Sequence, residues 1–208
     1  VYERGCRSFL ITEKVDVSTY PGATFLLVED SILALQQLAT SNRKQFTYPI
    51  ISVTGSNGKT IVKEWLSFLL GDSFSICKNP KSYNSQVGVP LSVWQLTDKH
   101  SLGIFEAGIS QPGEMEKIRA IINPDIAILT NIGQAHDENF TGNEQKIYEK
   151  ITLFQNAKKI LYCNDHPIAD NIIKNTIASI VKRYTWSRRN NSTLLITKTE
   201  QTKSETII

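Results

Sequence analysis

The chain has 208 residues, of which 40% are hydrophobic and 21% are charged, so it can bury a core large enough for one large domain or two small ones. Its formal charge of +3 comes from 23 basic and 20 acidic side chains that form no basic stripe, which argues against nucleic acid as the principal partner. No apolar run approaches the roughly 18 residues that a membrane-spanning helix needs, and no signal peptide is visible, so we expect a cytoplasmic protein without membrane insertion.

The first predicted elements are two short strands and a helix. The strands cover residues 8–12 and 24–28. Asp30 is the predicted N-cap of the helix, because apolar residues recur at helical spacing after it. The stretch 41–49 is polar and is predicted to be a linker.

From residue 50 onwards, short apolar runs alternate with helical patterns. Strands are predicted at residues 50–54, 102–107, 125–130 and 159–163. Helices are predicted at residues 58–70, 86–97, 112–122, 144–156 and 167–177. Such an alternation indicates an α/β fold in which helices cover both faces of a mostly parallel sheet. The residues from 183 onwards suggest late strands, which we expect to be antiparallel.

A glycine-rich turn joins the strand 50–54 to the helix 58–70. It reads Thr54-Gly55-Ser56-Asn57-Gly58-Lys59-Thr60, and only two residues separate its two glycines. The pattern is typical of a phosphate-binding loop, because a strand, a glycine-rich turn, a Lys-Thr pair and a helix follow one another. The turn is shorter than in the common form of such loops. In such a loop the backbone N–H groups and the helix N-terminus bind phosphate oxygens, Lys59 reaches the β/γ-phosphates, and Thr60 binds Mg²⁺. The alternative is an ordinary tight turn before a helix, but the flanking elements favour the binding of ATP or a close relative.

Two further candidates stand at the ends of later strands. A carboxylate such as Glu106 at a buried strand end is costly unless it meets a cation or a donor, so a role as Mg²⁺ ligand is favoured over a helix cap or a salt bridge. The strand 125–130 runs into a loop that ends in His136, which either binds metal or phosphate or is structural. Ligands gather at the carboxyl ends of parallel strands, so these segments and the glycine-rich turn predict one common site.

Lys150 is the next candidate, because it falls within the apolar stripe of the helix 144–156. A bare ammonium in that stripe would lose solvation, and its pKa would be lowered. Such a lysine either extends its ammonium to solvent or takes part in chemistry. Lys146, at the rim of the same stripe, is the less informative alternative.

Four motifs in this order resemble the Mur ligase family, whose members use ATP to join amino acids or dipeptides to cell-wall precursors. The motifs are Thr54–Thr60, Glu106-Ala107-Gly108, Thr130–His136 and Lys150-Ile151-Thr152-Leu153-Phe154. Within the family, the segments Asn84–Pro90 and Glu106–Met115 are similar to those of the branch that adds D-alanyl-D-alanine to UDP-MurNAc-tripeptide. The resemblance covers residues 20–165.

The resemblance implies a role for each candidate residue. Lys59 and Mg²⁺ would stabilise the γ-phosphoryl group of ATP, Thr60 and Glu106 would hold one Mg²⁺, and His136 would help to hold a second. In the family, the lysine that matches Lys150 is carbamylated by CO₂, and its carbamate helps to position Mg²⁺. The implied nucleotide-binding residues are Gly55, Ser56, Asn57, Gly58, Lys59, Thr60 and Asn131, and the implied substrate contacts are Asn84 and Gln86.

The implied reaction is an ATP-dependent amide ligation in peptidoglycan precursor synthesis. ATP would phosphorylate the terminal carboxylate of UDP-MurNAc-tripeptide to an acyl phosphate, and the amine of D-alanyl-D-alanine would then displace phosphate. Such a transfer depends on positioning and charge neutralisation rather than on a protein nucleophile.

Mur ligases have three domains, so the resemblance predicts a fragment centred on the ATP-binding domain. Residues 1–46 would form the C-terminal part of the UDP-substrate-binding N-terminal domain, and residues 47–208 the central ATP-binding domain. We expect the C-terminal ligase domain to be missing from this chain and the fragment alone to be weakly active or inactive. In some bacteria such a ligase is fused to alanine racemase, and the sequence leaves a fusion open.

Three other functions stay open. Another Mur-type ligase, such as a diamino-acid-adding ligase or a folylpolyglutamate synthase, is disfavoured by the segments 84–90 and 111–115. A P-loop kinase or GTPase is disfavoured by the shortened loop and, for a GTPase, by the lack of an N-K-x-D motif. A nucleotide-binding scaffold without turnover would not need Glu106, His136 and Lys150.

Overall fold

A seven-stranded parallel sheet organises the chain in this computed structural model, which describes residues 1–133, 139–189, 191–202 and 206–207. In chain order the strands are β1 (Ser8–Ile11), β2 (Thr24–Leu27), β3 (Ile50–Thr54), β4 (Ile76–Lys78), β5 (Leu102–Glu106), β6 (Ile126–Leu129), β7 (Lys159–Cys163), β8 (Lys182–Ser187), β9 (Leu194–Leu195), β10 (Glu200–Gln201) and β11 (Thr206–Ile207). The α-helices are α1 (Ser31–Arg43), α2 (Lys59–Leu70), α3 (Gly88–Val93), α4 (Glu114–Ile122), α5 (Asn143–Ile151) and α6 (Pro167–Thr176). None of the helices described here is long and apolar enough to cross a membrane.

The strand order explains where a ligand can approach the sheet. The sheet runs β4-β5-β3-β6-β7-β8-β9, and all of its neighbouring strands are parallel. After β3 the chain builds β4 and β5 on one side and then crosses to β6 on the other. The loops that follow β3, β5 and β6 therefore border the point where the strand order reverses, which is where open α/β sheets bind ligands.

Apolar side chains bury both faces of the sheet, as predicted. On one face, residues of α3, α4, α5 and α6 pack into the larger core cluster. On the other face, Leu66 and Leu70 of α2 pack against Ile51, Leu102 and Ile104. The core is divided into two clusters because successive residues of a strand point to opposite faces of the sheet. The predicted α/β class with helices on both faces is confirmed.

One sequence prediction about the elements is wrong, and one element was missed. The late strands β8 and β9 are parallel to β7, not antiparallel. Helix α6 connects β7 to β8 as a crossover helix, so both of these strands begin at the same edge of the sheet. Only the short pair β10–β11 is antiparallel within the described residues. Strand β4 was not predicted, since three residues are too few to show a period.

Helix α1 is fastened to the sheet domain by its last residue. The buried Arg43 guanidinium donates from Nε to the carbonyl of Ile122 at 3.0 Å, from NH1 to that of Phe46 at 2.7 Å and from NH2 to that of Asn123 at 3.3 Å. Burial lowers the pKa of Arg43, although the charge of Asp125 opposes this shift. Residues 41–43 thus belong to a packed helix, and the predicted linker is limited to residues 44–49.

Replacing Arg43 by methionine is expected to lower the free energy of unfolding by about 3 kcal/mol, because buried carbonyls lose their donor. Chemical denaturation monitored by circular dichroism measures the loss. The matched control is Arg119→Met, which removes an ion pair with the exposed Glu116 and should cost less than about 1 kcal/mol. Equal losses in the two variants would contradict the anchoring role.

Candidate functional site

The glycine-rich turn leaves β3 and opens α2 in the predicted order. Gly55 has a φ of 144° and Gly58 a φ of 79°, backbone conformations that favour glycine. Gly58 is the N-cap of α2, so the free N–H groups of the first helical turn point into the loop. Lys59 folds back over the loop, where its ammonium donates to the carbonyls of Gly55 at 2.9 Å and Ser56 at 3.3 Å. This geometry fits phosphate binding, the role predicted for the turn.

Residues 130–133, which follow β6, hold the shape of this loop through hydrogen bonds to Ser56 and Asn57. The backbone N–H of Ser56 donates to the carbonyl of Asn131 at 2.9 Å, and the N–H of Asn57 donates to Asn131 Oδ1 at 2.9 Å. Thr130 Oγ1 donates to the carbonyl of Asn57 at 2.6 Å, and the N–H of Gly133 donates to Ser56 Oγ at 2.9 Å. Asn131, expected to contact nucleotide, is therefore engaged with the loop backbone and fixes its shape.

Glu106 stands at the carboxyl end of β5, beside the loop. Its side chain is 1% exposed. Glu106 Oε2 accepts a hydrogen bond from Thr60 Oγ1 at 2.8 Å, while Oε1 accepts from Asn84 Nδ2. The ammonium of Lys63 lies 4.0 Å from Oε2. Donors and a cation thus compensate the buried carboxylate, and Thr60 and Glu106, which are expected to hold one Mg²⁺ together, are in direct contact.

Two buried residues next to Glu106 were missed by the sequence analysis. Asn79 Oδ1 accepts from the backbone N–H of Glu106 at 2.6 Å, and Asn79 Nδ2 donates to the Glu106 carbonyl at 3.3 Å. Lys63 is 0% exposed and follows Lys59 by one helical turn. That spacing places Lys63 on the same face of the helix as Lys59, so the sequence alone could have indicated that Lys63 lies near the site. For Asn79, which follows the three-residue β4, the sequence holds no comparable signal.

Three lysines converge behind the loop. Lys150 is 3% exposed, and its ammonium donates to the carbonyl of Gly55 at 3.2 Å. Burial first, and then the charges of Lys59 and Lys146, lower the pKa of Lys150 to about 8. Burial also lowers the pKa of Lys59, against the opposing effect of Glu106. Lys146, predicted at the rim of the helix, is only 1% exposed and donates to the carbonyl of Gly133. Neither Lys146 nor Lys150 extends its ammonium into solvent.

A cavity of about 170 Å³ opens between the loop, α4 and α5. Its lining residues are Gly55, Ser56, Lys59, Asn84, Ser85, Gly108, Ile109, Ser110, Glu114 and Lys150. Glu114 was not singled out in the sequence. Its carboxylate accepts from the N–H groups of Ser110 at 2.6 Å and Gln111 at 3.0 Å and so shapes the wall opposite the lysines.

Gln86, a predicted substrate contact, is not among the residues that line this cavity. Gln86 packs between helices, where its Nε2 donates to the carbonyl of Glu114 at 3.0 Å and its Oε1 accepts from Gln36 Nε2 at 3.2 Å. This arrangement supports a packing role, and the predicted substrate contact of Gln86 stays a prediction. His136 lies outside the described residues, so its predicted role as metal ligand also stays a prediction.

The donor set suits Mg²⁺ held together with phosphates. In the part of the chain that the structure describes, no three His, Cys, Asp or Glu side chains come together as a metal centre. Mg²⁺ in nucleotide sites needs only one or two protein ligands, because phosphates and waters supply the others. The Thr60 hydroxyl and the Glu106 carboxylate are hard oxygen donors in contact at 2.8 Å, and they fit such a site.

Comparisons with known proteins agree with this geometry. The model of the Mur ligase middle domain matches residues 53–208. The chain is 32% identical over 149 residues to UDP-N-acetylmuramoyl-tripeptide–D-alanyl-D-alanine ligase of Bacillus subtilis (strain 168), which covers 70% of this chain and 33% of that relative. It is 31% identical over 182 residues to the ligase of the same name from Rickettsia prowazekii (strain Madrid E), covering 86% of this chain and 39% of the relative.

The fold is also that of a solved ligase structure. It is similar to a MurF ligase from Thermotoga maritima in complex with ADP, with a TM-score of 0.84 and 25% sequence identity, over 98% of this chain and 46% of that one. The chain thus spans about a third of the length of the curated relatives, as the 33% and 39% shares show.

Proposed function

The chain belongs to the Mur ligase family, and from that premise we propose that it is the ATP-binding part of a ligase that joins D-alanyl-D-alanine to UDP-MurNAc-tripeptide. The observation that carries the proposal is the cavity in which Lys59 and Lys150 meet, beside the contact between Thr60 and Glu106. The choice of substrates is supported by the activity named for the similar ligases of B. subtilis and R. prowazekii.

The same premise supports the domain assignment. Residues 47–208 would be the central ATP-binding domain, and residues 1–46 the end of the domain that binds the UDP substrate. A C-terminal ligase domain in the same polypeptide would complete the site, which is why we expect little activity from residues 1–208 alone. A cytoplasmic location stays part of the proposal, and a fusion to alanine racemase is left open, as in the sequence analysis.

ATP would bind with its phosphates in the glycine-rich loop. The N–H groups at the start of α2 and the helix N-terminus attract phosphate oxygens. Lys59, whose ammonium now satisfies carbonyls of its own loop, would turn to the phosphates. Thr60 and Glu106 would hold Mg²⁺, with His136 at a second ion, and Mg²⁺ would supply charge neutralisation at the transferred phosphoryl group.

The reaction would proceed by two displacements at the rim of the cavity. A carboxylate oxygen of the tripeptide attacks the γ-phosphorus of ATP, so that an oxygen–phosphorus bond forms and the bond to ADP breaks. The amine of D-alanyl-D-alanine then attacks the carbonyl carbon of the acyl phosphate, phosphate leaves, and the amine loses a proton. Asn84 and Ser110 line the wall that the tripeptide carboxylate would face. This chain would contribute positioning and positive charge.

We also propose that Lys150 carries a carbamate. The neutral amine would attack CO₂, forming a nitrogen–carbon bond and releasing one proton, and a buried cation would become an anion. Its surroundings support this change, because Lys150 is almost fully buried and shares the site with the ammoniums of Lys59 and Lys146. An anion between two cations is stabilised, whereas a third cation is not.

Carbamylation of Lys150 is expected to increase as the pH rises through about 8, the pKa of its amine, because only the neutral amine attacks CO₂. At a fixed concentration of dissolved CO₂, a pH change from 7 to 9 takes the neutral fraction from about one tenth to about nine tenths. The measurement is the ¹³C NMR carbamate signal of the protein under ¹³CO₂. The control Lys150→Gln should lack that signal. A wild-type protein without the signal at any pH in this range would contradict the proposal.

The experiment that tests the proposed function is ATP-dependent phosphate release by the full-length protein. UDP-MurNAc-tripeptide is supplied together with either D-alanyl-D-alanine or a single amino acid. Release that requires the dipeptide supports the proposed ligase. Release with the single amino acid would move the protein to another branch of the family. Nucleotide binding without release with either acceptor would favour a binding module.

A further inference from the structure

Lys63 is a fully buried cation that the proposed mechanism does not use. Its ammonium donates to the carbonyl of Asn79 at 2.9 Å and to the carbonyl of Lys81, and lies 3.2 Å from Glu64 Oε1. An ammonium has three hydrogens to donate, so these partners can use all of them. A lysine with 0% exposure is costly unless it is satisfied in this way. The contacts of Lys63 thus tie α2 to the segment after β4.

That segment, residues 79–84, wraps around Glu106, and we call it the 79–84 loop. Asn79 binds both backbone groups of Glu106, and Asn84 Nδ2 donates to Glu106 Oε1. Ser82 Oγ lies 3.2 Å from Thr60 Oγ1. The N–H of Gly108 donates to the carbonyl of Asn84 at 2.9 Å. The 79–84 loop therefore brings its polar side chains to the two residues proposed to hold Mg²⁺.

The Lys63 ammonium binds the beginning of this loop. The two carbonyls that it binds flank Pro80, at the beginning of the loop. Lys81 has a φ of 50°, an unfavourable conformation for a lysine, so the turn needs contacts that hold it. The only other charge within 4.0 Å of the Lys63 ammonium, among the described ion pairs, is Glu106 itself. The same ammonium thus holds the loop and faces the carboxylate that the loop surrounds.

We infer that Lys63 is a positioning residue, which fixes the 79–84 loop on α2 and thereby holds Asn84 and Ser82 against Glu106 and Thr60. The part of this inference that concerns catalysis rests on the proposed function. Lys63 is not among the residues that line the cavity, and the hydrogen bonds described for its ammonium go to Asn79 and Lys81, not to the glycine-rich loop. Its removal should therefore disturb the wall around Asn84 and Ser85 but leave the nucleotide-binding loop in place.

The test compares Lys63→Met with Lys78→Met in the full-length protein. Both substitutions remove a lysine that pairs with Glu64, but the hydrogen bond described for the Lys78 ammonium goes to Glu64 and not to a carbonyl of the 79–84 loop. Lys63→Met is expected to lower kcat/KM for UDP-MurNAc-tripeptide about 100-fold, the size of effect that a 1 Å misplacement produces. The affinity for a fluorescent ADP should change less than about threefold, because the 54–60 backbone is untouched. Lys78→Met should stay within about twofold of wild type in both measurements.

Hydrogen exchange gives a readout that does not depend on turnover. In Lys63→Met, exchange of the Gly108 N–H should accelerate, because its acceptor Asn84 is loosened, while the Ser56 and Asn57 N–H groups should keep their protection. If wild type releases no phosphate, the proposed function fails, and this exchange pattern still decides the role of Lys63. Unchanged exchange at Gly108, or a kcat/KM per folded molecule equal to that of Lys78→Met, overturns the inference. If Lys63→Met does not fold, Lys63→Gln replaces it, and wild-type kcat/KM in that variant overturns the inference.

Discussion

Replacing Glu106 by glutamine is expected to lower kcat of the full-length protein in the proposed ligation about 1,000-fold, which corresponds to about 4 kcal/mol of transition-state stabilisation. Glutamine keeps the shape of the side chain and can still accept from Thr60 or Asn84. It loses the negative charge that would hold Mg²⁺ beside the transferred phosphoryl group. Phosphate release at saturating substrates measures the loss. The affinity for ADP without Mg²⁺ should change little, because the hydrogen bond described between Glu106 and the glycine-rich loop is made by the Thr60 side chain and not by the loop backbone.

The control for this substitution is Glu116→Gln. Glu116 is on the exposed face of α4 and pairs with Arg119, away from the cavity. It should retain wild-type kcat within about twofold, as surface substitutions usually do. A Glu106→Gln enzyme with more than a tenth of the wild-type rate would contradict the metal-binding role. In that case Glu106 would be a buried structural carboxylate, the alternative that the sequence left open.

Replacing Gly55 by alanine is expected to abolish measurable nucleotide binding and to lower the free energy of unfolding by about 3 kcal/mol. A Cβ at this position would lie 2.0 Å from Thr130 Oγ1 and 3.1 Å from backbone atoms of Asn131. The φ of 144° adds strain for any residue with a side chain. The loop and the segment that braces it would have to separate, so the N–H groups would no longer converge on phosphate. Calorimetric titration with ATP and chemical denaturation measure the two effects.

Two further variants test which contacts cause the effects of Gly55→Ala. Gly142→Ala is the matched control, because a Cβ there meets nothing within 4 Å and the φ of 162° is extended backbone. It should be neutral or slightly stabilising. Adding Thr130→Ala to Gly55→Ala removes the side-chain clash but not the contact with the Asn131 backbone. The double variant should therefore recover only part of the stability. Full recovery of ATP binding would show that the side-chain clash alone was responsible.

Much of the fold could be predicted because its signals are local. The strand, glycine-rich turn and helix from residue 50 to residue 70 are consecutive, so periodicity and turn chemistry identify them without knowledge of the rest of the chain. The alternation of strands and helices implies parallel pairing, which puts the ends of β3, β5 and β6 at one edge. That reasoning was enough to bring Lys59, Thr60 and Glu106 to one site. The same alternation of strand and helix continues through α6 to β8, so it also implies a parallel β8, contrary to the antiparallel strands that we expected from residue 183 onwards.

The sequence by itself determined the glycine-rich turn between a strand and a helix, the class of fold and the place of Lys150 in the apolar stripe of its helix, because each follows from the spacing of residues along the chain. Only the tertiary structure decided what surrounds them. The bracing by Asn131, the deep burial of Lys146 and the packing of Gln86 between helices depend on contacts between segments far apart in the chain. Lys63 and Asn79 meet Glu106 only after β4, β5 and α2 are assembled. A side chain's partners are set by the distances between packed elements, and no periodicity within one element encodes those distances.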